Sequence, residues 1–217
     1  EIKGSLITKY TNQVVLDLGS GKGGDMHKYN KTGRVRTLYC VEPNKEFIKE
    51  MKSRIPSAHL RYNLISINTT AQDFNTIYEA IKKTRVDLIT MFFSLSFFFE
   101  NDVLLDRLIS TIQKTGPEKF VGTTIDGKAV VEVLNDNRSV QLEDVTIERD
   151  PGDYTQLNPN NIGIGREITF YYENSATVDT KQVEYLVDFP MFIRRLKHAG
   201  YKPALPARVN NPDNSLF

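Results

Sequence analysis

Apolar residues along the first 125 positions fall into two alternating patterns. Short, nearly continuous apolar runs are typical of strands buried on both faces of a parallel sheet. We predict such strands at 14–18, 36–41, 59–67, 86–93 and 119–125. Residues 5–10 are expected to end a short helix before the first strand, and segments with apolar residues at helical spacing separate the strands, at 25–29, 44–55, 74–83 and 104–112. Five alternations of strand and helix predict an α/β fold with a mostly parallel sheet and helices on both faces.

The pattern changes after Asp126. Segments 140–147 and 167–172 alternate like antiparallel strands, and 150–165 is rich in turn residues and predicts an exposed loop. Asn44 is expected to cap the start of the second full helix and Pro56 to stop it, and a last helix is expected at 189–199, with Gly200 as its cap. We interpret 1–217 as a single domain, with a core at 5–125 and 185–206 and an inserted β element at 138–175.

Charge and cysteine content narrow the function only modestly. The net charge is +1, but residues 1–62 carry twelve Lys and Arg against six Asp and Glu. A locally basic face suits a compact anionic substrate, and a merely solvated basic surface explains it equally well. The single Cys40 allows no internal disulfide and fits a reducing, intracellular compartment. We expect no membrane span, and a chain that begins at Glu1 is expected to be part of a longer protein.

A glycine-rich turn follows the first predicted strand. Gly19, Gly21 and Gly24 fit G-x-G-x-x-G between a strand and a helix, and no Walker A pattern is present. The pattern leaves two ligands open, a dinucleotide and S-adenosylmethionine. Either would place an adenosine ribose near an acid at the end of the second strand, where Glu42 stands.

Three acids favour S-adenosylmethionine. Asp25 at the start of the helix would repel a pyrophosphate but not a cationic sulfonium or an amino group. Asp17, two residues before the first glycine, adds a second acid. Asp73 offers a further contact to adenosine, although an acid in that position is, taken alone, more often a helix N-cap.

Residues 16–25, Leu-Asp-Leu-Gly-Ser-Gly-Lys-Gly-Gly-Asp, resemble the first motif of the mRNA cap (guanine-N7) methyltransferases. The family usually has Cys in place of Ser20. The similarity extends from Lys3 through 71–73 and 87–100 to 183–189. It implies a class I S-adenosylmethionine-dependent methyltransferase, a Rossmann-like fold, that methylates N7 of the guanine of a GpppN cap. Large DNA viruses carry this domain in a multifunctional capping enzyme, and the fragment resembles an asfarvirus-like one.

The resemblance implies two groups of site residues. Lys3 and Gly19 would lie along the methionine part of the cofactor, Asp25 near its amino group, Glu42 at the ribose and Asp73 at the adenine edge. The cofactor group as a whole is Lys3, Gly19, Ser20, Gly21, Asp25, Glu42, Asp73 and Ser94. The cap group is Lys22, Arg54, Phe93, Phe97 and Glu184.

In the cap group, Phe93 would stack on the guanine, Glu184 would read its edge, and Lys22 and Arg54 would face the triphosphate bridge. An aromatic plane at the end of the fourth strand is also physically suited to hold a base. The family has His and Tyr where this chain has Ser96 and Phe97, so guanine is expected to be read differently here.

No acid–base catalyst or metal site is expected, because His27, His59 and His198 form no cluster with other chemistry-bearing residues in the sequence. Partners implied by the resemblance are the capped mRNA 5′ end and linked triphosphatase and guanylyltransferase domains. If viral, the protein would act at cytoplasmic replication sites or in the virion. The alternatives are a small-molecule methyltransferase, a degenerate methyltransferase fold that serves as an RNA-binding scaffold and, more distantly, a dinucleotide oxidoreductase.

Overall fold

Five parallel strands form the first sheet of the protein, whose computed structural model describes residues 2–82, 84–143, 145–150, 157–172 and 181–204. The strands are β1 Val14–Leu18, β2 Thr37–Val41, β3 Asn63–Ile67, β4 Leu88–Phe92 and β5 Lys119–Thr123. Their order in the sheet is β3-β2-β1-β4-β5, and every neighbouring pair is parallel. The predicted α/β class and parallel sheet are confirmed.

The centre of this sheet is buried, as continuous apolar runs predict. All five residues of β1 and all five of β4 are buried, because helices cover the sheet. The third strand is shorter than predicted, since residues 59–62 precede its pairing with β2.

The helices of this part follow the predicted spacing closely. They are α1 Ile2–Tyr10, α2 Met26–Thr32, α3 Lys45–Ala58, α4 Phe74–Ile81 and α5 Asp102–Thr115, with a 3-10 helix at Ser96–Phe99. Asn44 caps α3, as predicted, by accepting from the Glu46 and Phe47 N–H groups. The prediction that Pro56 stops α3 is wrong: the helix runs through Pro56 to Ala58 and ends at a left-handed His59.

A second, antiparallel sheet follows in the chain. It comprises β6 Ser139–Gln141, β7 Val145–Arg149, β8 Glu167–Tyr172 and β9 Gln182–Tyr185, in sequence order. The expected single strand at 140–147 is therefore wrong, because the chain reverses within it and pairs β6 with β7. Two helices, α6 Gly127–Leu134 and α7 Phe189–His198, accompany this sheet. The first of them was not predicted.

The chain divides into two compact units. The first comprises Glu1–Phe98 and Asp102–Thr124, and the second Phe99–Asn101 and Ile125–Phe217. The interpretation of one domain with an insertion at 138–175 stays a prediction. Within the predicted loop at 150–165, positions 151–156 lie outside the described residues, as do 173–175 of the insertion and 205–206 of the core. In the described ranges, no helix is both long and apolar enough to cross a membrane.

The strand order of the first unit creates a switch point between β1 and β4. Successive strands are added on one side from β1 to β3, and β4 and β5 are added on the other. Ligands of doubly wound sheets bind at the carboxyl ends of the strands beside such a point. The residues that follow β1 and β4 are the glycine turn and Phe93.

Candidate cofactor and base site at the switch point

The ends of β1 and β4 touch through Gly19 and Ser94. The Ser94 hydroxyl donates to the Leu18 carbonyl at 3.0 Å. A Cβ on Gly19 would lie 2.5 Å from Ser94 Oγ, and Gly19 has a φ of +79°. Glycine is therefore required here both by conformation and by the close approach of the neighbouring strand.

A buried carboxylate, Glu42, holds the glycine turn in place. The Gly21 N–H donates to one Glu42 oxygen and the Asn44 N–H to the other, each at 2.9 Å. The Gly19 N–H donates to the Val41 carbonyl at 2.9 Å. Glu42, which follows β2, thus shapes the glycine turn that follows β1, a role that sequence reasoning did not assign to it.

Two consecutive glycines in the turn have different roles. A Cβ on Gly23 would lie 2.7 Å from Met51 Cγ, and Gly23 has a φ of +74°. At Gly24 and at Gly21, a Cβ would meet nothing within 4 Å. Gly23, which lies outside the G-x-G-x-x-G spacing, is therefore the packed glycine, whereas Gly21 and Gly24 border open space.

Asp25 is bound by two lysines. Lys3 Nζ lies 2.8 Å from one of its oxygens, and Lys28 Nζ lies 2.9 Å from the other. Asp25 occupies the N-cap position of α2 but makes no capping hydrogen bond, so its carboxylate is directed to these cations. Lys28 was not predicted as a site residue, although its spacing of three from Asp25 on a helix was a usable signal.

Phe93 combines exposure with an unfavourable backbone conformation. Its side chain is 56% exposed, its φ is 57°, and its N–H donates to the Thr123 carbonyl at 2.8 Å. Lys3 Nζ lies 5.5 Å from the centre of the Phe93 ring. A left-handed conformation is rare for an aromatic residue and costs about 1–3 kcal/mol, which points to a functional role.

The aromatic residues that follow Phe93 differ in exposure. Phe97, also predicted at the cap site, is 42% exposed, whereas Phe98 and Phe99 are buried. Ser96 is buried, and its hydroxyl has no hydrogen-bond partner in the described structure. The position where the family has a histidine is thus a small, buried hydroxyl in this chain.

A buried polar network lies beneath the turn. The Thr90 hydroxyl donates to Asp17 at 2.8 Å and lies 2.7 Å from the Tyr29 hydroxyl. The Ser20 hydroxyl donates to the Asp17 carbonyl at 2.9 Å. Burial raises the pKa of Asp17 from 3.8 to about 6, with Thr90 opposing the rise. Thr90 was not singled out, although a polar residue inside a continuous apolar strand was a signal.

The two cations predicted to face the triphosphate meet on the exposed side of α3. Lys22 Nζ lies 2.9 Å from Glu50 and 5.4 Å from the centre of the Phe47 ring. Arg54 is paired with the same Glu50 and donates to the Lys22 carbonyl at 3.3 Å. The hydrogen bond from Lys22 holds the pKa of Glu50 below its usual value. The structure thus brings Lys22 and Arg54 together through Glu50, which sequence reasoning missed.

Asp73 forms the N-cap of α4. Its carboxylate accepts from the Thr76 N–H at 3.2 Å and from the Thr69 hydroxyl at 2.8 Å. These hydrogen bonds, chiefly that from Thr76, lower the pKa of Asp73. A role at the adenine edge stays a prediction, now beside a clear capping role.

Glu184 belongs to the second unit. It is paired with Ile168 across β8 and β9, and it is buried. Ile168 belongs to an apolar cluster with Phe170 and Leu186, so Glu184 lies at a position of β9 that pairs with core residues. A carboxylate at such a position is uncommon without a specific role.

Comparisons with known proteins agree with this architecture. Residues 1–205 match the model of the mRNA (guanine-N(7))-methyltransferase domain. Curated relatives include the mRNA cap guanine-N(7) methyltransferases of Saccharomyces cerevisiae and Eremothecium gossypii. Each is 29% identical over 143 residues, covering 62% of this chain and 33% of the relative. The chain thus spans about a third of the length of these relatives.

Solved structures share the fold. An S-adenosylmethionine-dependent methyltransferase from Clostridium acetobutylicum aligns with a TM-score of 0.58 at 15% identity, covering 91% of this chain and 76% of that one. The PH0226 protein of Pyrococcus horikoshii aligns with a TM-score of 0.59 at 14% identity, covering 89% and 76%. The predicted class I methyltransferase fold is thereby confirmed. Since the family model covers nearly all of the chain, this protein belongs to the mRNA (guanine-N(7))-methyltransferase domain family.

Proposed function

We propose that this domain transfers a methyl group from S-adenosylmethionine to N7 of the guanine of a GpppN mRNA cap. The observation that carries the proposal is the convergence of Lys3 with Asp25, at the glycine turn, and with the exposed ring of Phe93. A cofactor turn and an aromatic platform are thus joined by one side chain at the switch point of the sheet.

The residues of the turn fit the cofactor. Gly21 and Gly24 border open space, so a ligand can approach the backbone there. Asp25 offers a partly exposed carboxylate suited to an amino group, and Glu42 stands at the end of β2, where a ribose is expected. We assign Lys3, Gly19, Ser20, Gly21 and Ser94 to the same cofactor site, with Asp73 at the adenine edge.

When bound, S-adenosylmethionine supplies a methyl group made electrophilic by a sulfonium. The chain's residues need only bind and orient the guanine, since N7 of neutral guanine already carries a free lone pair and no base must remove a proton. Phe93 would hold the plane of the base by stacking, aided by the exposed Phe97. Positioning of this kind contributes up to about 7–11 kcal/mol in ideal cases.

Specificity for guanine would come from Glu184. A carboxylate can accept hydrogen bonds from both N1–H and the exocyclic amine of guanine, and adenine offers no such pair of donors. Lys22 and Arg54 would bind the triphosphate bridge, with Glu50 keeping the two cations together when no phosphate is present.

The direct test is transfer from labelled S-adenosylmethionine to three cap analogues, GpppA, ApppA and N7-methylated GpppA. We expect label on GpppA alone, because only its guanine N7 is free. Transfer to none of them, with normal cofactor binding, would contradict the proposal and favour a methyltransferase of small molecules. Glu42→Ala should weaken cofactor binding in calorimetry, and an unchanged affinity would remove Glu42 from the ribose site.

A further inference from the structure

A groove of about 360 Å³ lies between α4 and α5 of the first unit, outside the glycine turn. The segment after β3 forms one wall, and one face of α5 forms the other. The side chains that matter here are Thr70, Gln72, Phe74, Arg107, Thr111 and Lys114.

The groove carries two cations without acidic partners. Arg107 and Lys114 are seven residues apart, so they lie on one face of α5, about 10 Å apart along its axis. Neither forms an ion pair within the described part of the chain, and Lys114 Nζ lies 5.2 Å from the centre of the Phe74 ring. Asp73, which the proposed function assigns to the adenine edge, also lines the groove, but its oxygens accept from Thr76 and Thr69. The positive charge is therefore available to an anion.

Two buried polar atoms at the groove also lack partners. Thr111 is fully buried, and neither its hydroxyl nor the Gln72 carbonyl oxygen has a hydrogen-bond partner in the described structure. Such atoms are costly to leave unpaired, and a ligand or ordered solvent can supply the missing partner. A phosphate oxygen can accept from Thr111, and a ribose hydroxyl can donate to Gln72.

The groove opens near the strand ends that bear the proposed cap site. Thr70 and Gln72 follow the carboxyl end of β3, and Phe93 follows that of β4. Because all strands of the sheet are parallel, these ends share one edge. β3 and β4 are three strand spacings apart, about 14 Å. A nucleic-acid strand that starts at Phe93 can therefore reach the groove.

We propose that the α4–α5 groove binds the ribose-phosphate backbone of the transcript downstream of the cap. This inference rests on the proposed function, because it assigns a second contact to the same RNA substrate. Arg107 and Lys114 bind phosphates of the chain, whereas Thr111 and Gln72 bind its oxygens and ribose hydroxyls. The contacts are to backbone atoms, so the groove carries no sequence preference.

The test measures binding of an uncapped single-stranded RNA of about twenty nucleotides by fluorescence anisotropy across a salt series. Arg107→Ala with Lys114→Ala should weaken binding about tenfold and reduce the salt slope by about 1.4, since each phosphate contact on a single strand contributes about 0.7. Thr111→Val should weaken it about threefold without lowering the melting temperature, because it removes only an unpaired hydroxyl.

A matched control removes two cations elsewhere in the first unit. Lys31→Ala with Arg36→Ala changes the charge equally, and both residues are exposed, near the amino end of β2. Binding should stay within about twofold of the wild type. If the control loses as much affinity as the groove variant, the effect is general electrostatics and the proposal is overturned.

Two further measurements exclude other occupants. The groove variant should bind the cofactor as tightly as the wild type in calorimetry. A loss of cofactor affinity as large as the loss of RNA affinity would make the groove part of the cofactor site. Adenosine 5′-monophosphate should compete much more weakly than RNA, and equal competition would assign the groove to a free nucleotide. Either result overturns the RNA assignment.

The outcomes separate this proposal from the proposed function. Absence of methyl transfer to GpppA by the wild type would refute the function. Equal affinity and equal salt slope of wild type and groove variant for uncapped RNA would refute the groove, whatever the activity.

Discussion

The two units hold their candidate residues in different ways. In the first, β1 and β4 are buried along their whole length, and the functional groups follow the strand ends, where backbone hydrogen bonds and close strand contacts position them. In the second, β7 alternates between buried and partly buried residues, and Glu184 gets its position from strand register. The candidate residues of the first unit thus depend on backbone conformation, whereas Glu184 depends on strand register, which decides the face of the sheet on which a side chain lies.

The largest effect on stability is expected at Gly19, where the neighbouring strand leaves no room for a side chain. Gly19→Ala places a Cβ against Ser94 at a φ of +79°, and should lower the free energy of unfolding by roughly 2–5 kcal/mol. Gly24→Ala is the matched control, since a Cβ there meets nothing within 4 Å. Chemical denaturation followed by circular dichroism measures both. Equal stability of the two variants would contradict the tight contact between β1 and β4.

The buried acid of the first unit should give stability a distinct dependence on pH. Burial raises the pKa of Asp17 from 3.8 to about 6, so its favourable contribution is complete below pH 4 and is lost as pH rises through about 6. Asp17→Asn keeps the acceptor for Thr90 but no longer titrates. The variant should match the wild type near pH 4 and exceed its stability by about 3 kcal/mol at pH 7. Parallel stability curves from pH 4 to 7 would contradict this.

In the second unit, replacing one carboxylate oxygen of Glu184 should weaken cap binding and leave the fold intact. Glu184→Gln replaces one acceptor oxygen with a donor, so it should weaken GpppA binding by about 2 kcal/mol, or thirtyfold. Cofactor affinity should not change. Glu143→Gln, at an exposed position of the hairpin, serves as the control and should bind like the wild type. Equal losses in both variants, or none in either, would remove Glu184 from guanine recognition.

Substitutions at Phe93 test whether its left-handed backbone conformation is maintained for cap binding. Phe93→Leu keeps an apolar side chain but no aromatic face, and should lose about 1–3 kcal/mol of cap affinity, whereas Phe93→Trp should retain it. The smallest effect is expected for Phe93→Gly, which relieves the left-handed strain and should raise the free energy of unfolding by about 1 kcal/mol. Full cap affinity of Phe93→Gly would contradict the stacking role, and a lower free energy of unfolding would contradict the strain.

Most of the first unit was predictable because its signals are local. Continuous apolar runs located the five strands, and the cap at Asn44 marked the start of α3. The elements of the second unit were harder to predict from the sequence. Its α6 is eight residues long, and β6 and β7 merge into one alternating run unless the chain reversal after Gln141 is known. Hairpin register depends on pairing between strands, which periodicity along one strand does not contain.

The sequence by itself determined the class of fold, the glycine turn, the candidate carboxylates and the aromatic segment after the fourth strand, because residue type and spacing encode these directly. The tertiary structure decided which of them meet. Lys3 and Phe93 are ninety residues apart in the chain and come together at the switch point, where Lys3 also binds Asp25. It also decided that Gly23 packs against Met51, that Glu50 joins Lys22 and Arg54, and that Phe93 adopts a left-handed conformation. These features arise from contacts between distant segments, and such contacts exist only after the sheet has formed.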